Sequence, residues 1–298
     1  MSEKRGWIMN SYVITTDTTS DLPESFYEAH QIPVMSLSYV LEGETYIRGI
    51  RELKAEDFYA KMRNGSMPTT SQVNPEGAKA ALEPILKDGK DILHIAFSSG
   101  LSGSCNSVRI AAEELMEEYP ERKILIVDSL CASLGEGMLV YYALKRQEEG
   151  LTLDENYQWC EEHKLHVVHS FTVDDLFHLY RGGRVTKTTA IFGTMLNIKP
   201  VLHVDDEGHL IPLSKVRGRK KSLQALVDSM EELQGSYTGK NEIVFISHGD
   251  CIEDAEYVRS LVEKKFGIRT FLINHVGPVI GSHSGPGTVA LFFLGDHR

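Results

Sequence analysis

The chain has 298 residues, 42% hydrophobic and 24% charged, with a formal net charge of −11. That charge repels a phosphate backbone, which excludes nucleic acid as a general partner. The length points to about two domains, or one large one. Four dispersed cysteines (Cys105, Cys131, Cys160, Cys251) form no C-x-x-C pair, which implies a reducing, cytoplasmic compartment. The opening residues lack the apolar stretch of a secretory signal. No apolar run approaches the roughly 18 residues of a membrane helix, so a soluble protein with at most peripheral membrane contact is expected.

In chain order, Tyr12–Thr16 reads as a buried strand, and Ser20 with Pro23 as the start of a helix. Ile32–Val40 is a second strand, and Glu42–Thr45 a hairpin turn. A helix follows over Ala55–Arg63, then a polar loop over Pro68–Gln72. Asn74–Pro75 opens a helix running through Leu86. Ile92–Phe97 and Ile124–Val127 are strands, each followed by a helix (Asn106–Glu118 and Gly135–Glu149). This alternation predicts an α/β, doubly wound parallel sheet.

The pattern changes near residue 165, which sets expected domains of 1–165 and 166–298. His166–Val173 is extended, and Asp174 is expected to cap a helix over Asp175–Tyr180. Ile198–Val204 and His209–Val216 flank a turn and read as a hairpin. Ser222–Gln234 is a helix; Glu242–His248, Glu253–Phe266 and Arg269–Val276 add strand, helix and strand; Thr288–Leu294 closes the chain. The C-terminal half therefore reads as α+β with a mixed or antiparallel sheet.

Four segments carry polar chemistry. Ser98–Ser104 (SSGLSGS) lies between a strand and a helix, where backbone N–H groups and hydroxyls converge on an anion; it serves equally as a tight βα turn. Thr69–Gln72 offers hydroxyls and an amide, though a solvated loop accounts for it as well. Gly277–Gly287 frames one histidine, His283, in glycines and prolines that restrict the loop. Lys215–Lys221 with Arg181, Arg184 and Lys187 makes a basic surface in an acidic chain, suited to a partner, a phosphate or solvent alone.

Some signals point nowhere. His163, His166 and His169 recur every third residue, but the segment reads as a strand, where such positions face opposite sides, so zinc is not expected. Neither a G-x-S-x-G elbow nor a P-loop is present.

Taken together, TTDTTSDLP (Thr15–Pro23), TTSQVNP (Thr69–Pro75), SSGLSGSCNS (Ser98–Ser107), VDSLCASLGEG (Val127–Gly137), LYRGGRV (Leu179–Val185), IKPVLHVDDEG (Ile198–Gly208), KVRGRKK and GPVIGSHSGPG resemble the DegV family. No single motif is strong, but the ordered set is specific and spans most of the chain. The resemblance implies two α/β domains enclosing a long-chain fatty acid such as palmitate, stearate or oleate at or near their interface, and no cofactor. It implies a carboxylate held by Thr70, with Ser71 beside it, by the loop serines Ser98, Ser99 or Ser102, and by Gly281-Ser282-His283. It also implies a non-catalytic bacterial subunit that presents the acid to a separate ATP-binding kinase subunit, yielding acyl phosphate for phospholipid synthesis. Arg184 and Arg217 are the implied contacts for that kinase or its phosphate. Ser104 and Ser284 stand where the family often has Thr, and each keeps a hydroxyl.

The physics fits such a ligand. Burying about fifteen methylenes at roughly 0.8 kcal/mol each gives on the order of 12 kcal/mol of gross transfer free energy. A buried carboxylate requires several donors, and neutral hydroxyls satisfy it without masking an oxygen as an arginine clamp would. Two rival readings remain: an acyl-ester hydrolase using a loop serine with His283, and a lipid-responsive regulatory protein.

Overall fold

The computed structural model describes residues 11–47, 52–187 and 197–298. Residues 1–10, read above as lacking a secretory signal, lie outside them. The first half runs β1 (Tyr12–Asp17), α1 (Glu24–His30), β2 (Val34–Met35), β3 (Ser38–Leu41), β4 (Glu44–Tyr46), α2 (Ala55–Arg63), β5 (Thr69–Ser71), α3 (Pro75–Lys87), β6 (Asp91–Ala96), α4 (Ser104–Glu118), β7 (Ile124–Asp128), α5 (Leu134–Glu148) and α6 (Leu153–His163). The second half runs β8 (Val167–Thr172), α7 (Leu176–Arg181), β9 (Ile198–Val204), β10 (Leu210–Arg217), α8 (Arg219–Leu233), β11 (Val244–His248), α9 (Ile252–Phe266), β12 (Phe271–His275), α10 (Pro278–Ser284) and β13 (Val289–Leu294).

The fold is α/β. Strands β2-β1-β6-β7 form a parallel sheet. Its central strand β6 is buried along its whole length, as expected for a parallel strand covered on both faces. Strands β10-β9-β8-β13-β11-β12 form a mixed sheet in which only β11 and β12 run parallel. A third, antiparallel sheet has the order β4-β3-β5. Among the described residues, the last strand of the parallel sheet ends at Asp128 and the first strand of the mixed sheet begins at Val167.

Helix α5 joins the two large sheets. Ten of its residues are buried, and it touches β1 and β6 on one side and β8, β11 and β13 on the other. A helix packed on both sides has no wide polar face. Gly137 permits the close approach: a Cβ there would stand 2.6 Å from the Ser20 carbonyl oxygen.

Several local expectations shift. Pro68–Gln72 is not wholly loop, because Thr69–Ser71 pairs with β3. Helix α6 falls in a stretch with no assigned element, and Thr152 and Glu155 form its capping box. Ser20 donates to the Asp17 carbonyl rather than capping α1, which Pro23 precedes without a side-chain cap. Asp175, not Asp174, caps α7 by accepting from the Phe177 N–H. Part of the Gly/Pro frame coils into α10, with Pro278 in its first turn.

Candidate functional site

Strand β5 places Thr70 opposite Tyr39, a fully buried ring stacked on Tyr46. Alternation along the strand turns the neighbouring Ser71 outward, where it is exposed. Helix α10 brings His283 to the same place, and Thr70 Oγ1 lies 2.8 Å from His283 Nε2. The other ring nitrogen, Nδ1, is buried without a hydrogen-bond partner and faces the backbone of Gly182, where any Cβ would overlap it. Burial first, then the charges of Arg184 and Arg181, lowers the His283 pKa to about 3, so the imidazole is neutral at physiological pH.

Helix α10 lies close to α2 because Gly281 has no side chain: a Cβ there would overlap the Tyr59 hydroxyl, which donates to the Val276 carbonyl at 2.7 Å. Ser282 spends its hydroxyl inside the helix, donating to the Pro278 carbonyl at 2.7 Å. Neither Gly281 nor Ser282 lines the cavity described next.

Thr70 and His283 stand on the wall of a cavity of about 440 Å³. Leu37 and Phe97 line it from the N-terminal half; Phe171, Leu210, Val279 and Phe292 line it from the C-terminal half. The walls are mainly apolar, and the volume is that of an ordinary small-molecule pocket. The serine-rich loop contributes Ser99 and Ser102 to the lining. Ser98 is buried elsewhere, donating to the Gly208 carbonyl at 2.9 Å and so tying this loop to the β9–β10 turn. Ser102 Oγ lies 3.0 Å from Ser104 Oγ.

Two arginines flank the Thr70–His283 pair. Arg184 lines the cavity and donates to the Leu101 carbonyl through Nε (3.2 Å) and Nη2 (3.0 Å), and also to the Gly182 carbonyl. Arg181 donates to the Ser282 carbonyl at 3.2 Å. Both guanidiniums thus meet carbonyls rather than carboxylates, and their charge favours an anion at this edge. Arg217 is exposed at the end of β10, opposite Ile198, and takes no part in the lining.

The family profile described as "Uncharacterised protein, DegV family" matches residues 11–296. The chain belongs to the DegV family. A DegV domain-containing protein of Clostridium perfringens is 47% identical over 292 residues, covering 97% of this chain and 99% of that one. The solved structure of a fatty-acid-binding DegV family protein from Thermus thermophilus matches with a TM-score of 0.84 at 29% identity, covering 96% of this chain and 99% of that one. DegV of Bacillus subtilis, a fatty acid binding protein, matches with a TM-score of 0.83 at 29% identity, covering 96% and 100%.

In this DegV family chain the three spaced histidines go separate ways. His163 Nδ1 meets the Trp159 carbonyl, His166 Nδ1 the Gly295 carbonyl and His169 Nδ1 the Val167 carbonyl. Among the described residues, no group of three His, Cys, Asp or Glu could hold a metal ion. Only His169 lines the cavity, and its Nε2 accepts from the Ala132 N–H at 3.1 Å, so its ring presents carbon to the interior.

Behind the wall lie buried acids. Glu136 on α5 accepts from the hydroxyls of Thr16 (2.8 Å) and Thr19 (2.9 Å), and Asp17 accepts from the Phe97 N–H at 2.9 Å. Burial raises the Asp17 and Asp21 pKa values to about 7; burial, then the nearby Asp17 charge, raises Glu136 well above the carboxylate range. Sequence reading singled out neither this cluster nor the cavity serines Ser133 and Ser247. They come from distant segments and follow no spacing rule.

Proposed function

We propose that this protein binds a long-chain fatty acid, with the tail in the cavity and the carboxylate beside Thr70 and His283. One observation carries the reading: a hydroxyl–imidazole pair, 2.8 Å apart, stands on the wall of a largely apolar 440 Å³ cavity. The relatives from Thermus thermophilus and Bacillus subtilis, described as binding fatty acids, support it. A neutral His283 gives its Nε2 hydrogen to Thr70 Oγ1, which leaves the Thr70 hydroxyl hydrogen for the carboxylate without a counter-ion. Ser99, Ser102 and Arg184 line the same cavity and supply further donors. The tail would lie between walls drawn from both halves of the chain, which we place on either side of residue 165.

The finer proposal is that the protein presents this carboxylate to a separate ATP-dependent kinase subunit, which forms the acyl phosphate, rather than acting on it alone. Thr70 and His283 are each partly exposed, so an incoming phosphoryl donor has an approach to the bound oxygen. Arg184 and Arg181 lie beside it, and the exposed Arg217 remains a proposed contact for the partner. Four free thiols fit the reducing cytoplasm in which such a kinase would work. The hydrolase reading finds no support in the geometry, because His283 Nε2 is bonded to Thr70 rather than to a loop serine.

The test is denaturing extraction and mass spectrometry of the purified protein, followed by titration of delipidated protein with palmitate, stearate and oleate. A stoichiometric acid is expected, bound several-fold more weakly by Thr70→Val and restored by Thr70→Ser. A protein that neither carries nor takes up any of these acids would refute the proposal. Phosphoryl transfer is tested separately, by adding a fatty acid kinase ATP-binding subunit and looking for acyl phosphate.

A further inference from the structure

A cavity shaped only for an alkyl tail has no use for hydroxyl groups on its wall. Yet Ser133 and Ser247 both line it, at 5% and 0% exposure. Ser133 Oγ lies 2.6 Å from Asp21 Oδ2 and 3.0 Å from Ser247 Oγ. Each hydroxyl has one hydrogen. Ser133 is the donor towards both Asp21 and Ser247 and serves one at a time; either way Ser247 keeps a lone pair open to accept.

A purely structural role accounts for half of this arrangement. Ser133 has φ 53° and ψ −143°, an uncommon conformation, and Asp21 holds it there. Ser247 shares in that restraint through its contact with Ser133, which uses only part of its hydrogen-bonding capacity. It continues the apolar run Val244-Phe245-Ile246, on the strand position paired with the cavity residue Ala290. An alanine would fill the position as well for packing alone.

The spacing locates what the pair would meet. Asp21 abuts Gly277 at the start of α10, where a Cβ would overlap its carboxylate, whereas Thr70 meets His283 near the end of α10. Six residues of helix separate these points by about 9 Å along the axis. An extended alkyl chain advances roughly 1.3 Å per carbon, given C–C bonds of about 1.5 Å. The serine pair therefore stands roughly seven carbons beyond the carboxylate, or a few more where the chain bends.

We infer that the cavity accepts fatty acids bearing a mid-chain hydroxyl, which donates to Ser247. This rests on the reading that a fatty acid occupies the cavity with its carboxylate at Thr70 and His283.

The experiment compares stearate with 10-hydroxystearate by calorimetric titration of the delipidated wild-type protein and of Ser247→Ala. Burying a hydroxyl without a partner would weaken binding by about tenfold to a hundredfold. The wild type is expected to bind 10-hydroxystearate at least as tightly as stearate. Ser247→Ala should lose about tenfold for the hydroxy acid relative to stearate. A wild type that binds stearate but rejects 10-hydroxystearate by tenfold or more would overturn the inference, and this comparison stands even if the variant fails to fold. A wild type that binds neither acid sinks the fatty-acid reading itself, and this inference with it.

Discussion

Substituting Gly182→Ala puts a methyl group where His283 Nδ1 now lies. The backbone accepts the change, since Gly182 has φ −72° and ψ −10°, which alanine adopts freely. The unfolded chain loses some freedom, worth about 0.4–1 kcal/mol in favour of folding, so global stability should change little. The imidazole, however, must move by on the order of 1 Å to restore normal contact, which breaks its 2.8 Å approach to Thr70. The Thr70 hydroxyl then loses the partner that orients it towards the carboxylate; hydrogen bonds to a charged group contribute about 1.5–3 kcal/mol, so affinity for a carboxylate should fall by roughly tenfold to a hundredfold. Titration calorimetry of delipidated protein with palmitate measures this, alongside His283→Ala and the double variant. With the imidazole absent, the new methyl has nothing to displace, so the double variant should bind like His283→Ala alone. Two additive losses, or a Gly182→Ala protein that binds as tightly as the wild type, would refute the assignment of Gly182 as the residue that seats His283.

The buried acids make stability depend on pH. Asp21 has a folded pKa of about 7 against an ordinary 3.8, so the folded state holds a proton that the unfolded state releases, and stability falls as pH rises between those values. Glu136 is raised in the same direction, so Glu136→Gln is expected to be more stable than the wild type at pH 8 and to show a shallower decline from pH 5. Urea denaturation at the two pH values checks this, and parallel slopes would count against it. Ser98→Ala removes the tie to the Gly208 carbonyl; it should cost about 1 kcal/mol of unfolding free energy and leave fatty-acid affinity within about twofold. A tenfold loss of affinity would instead return Ser98 to the ligand.

What could be read in advance depended on how local its cause was. Of the turn expected over Glu42–Thr45, Glu42 and Gly43 form it, with positive φ (53° and 87°) as in a two-residue hairpin connection, while Glu44 and Thr45 already belong to β4. The start of α3 is legible because Asn74 Oδ1 accepts from the Gly77 N–H three residues on. Strand β5 is not: three residues are too few for a period, and the composition of TTSQ is that of a loop. Its existence depends on pairing with β3, about thirty positions away in the chain. Thr70 and His283 stand 213 residues apart, so family resemblance rather than spacing brought them together beforehand. Ser133 and Ser247, 114 residues apart, belong to no motif that pairs them. Ser98 and Ser99 are chemically alike and adjacent, and only the folded loop shows that one faces the β9–β10 turn and the other the cavity.

The cavity takes its wall from Leu37 at one end of the chain and Phe292 at the other. No single segment could therefore grip a guest before the whole molecule has closed around it. An occupant touching both halves fastens them like a pin through a hinge, and its free energy of binding adds directly to the work of unfolding: about 2.7 kcal/mol when the free ligand stands at a hundred times its Kd. Such a protein registers its cargo as rigidity. A loaded copy would outlast an unloaded one against proteases, and the pool of this protein in a cell would follow the supply of the molecule it carries.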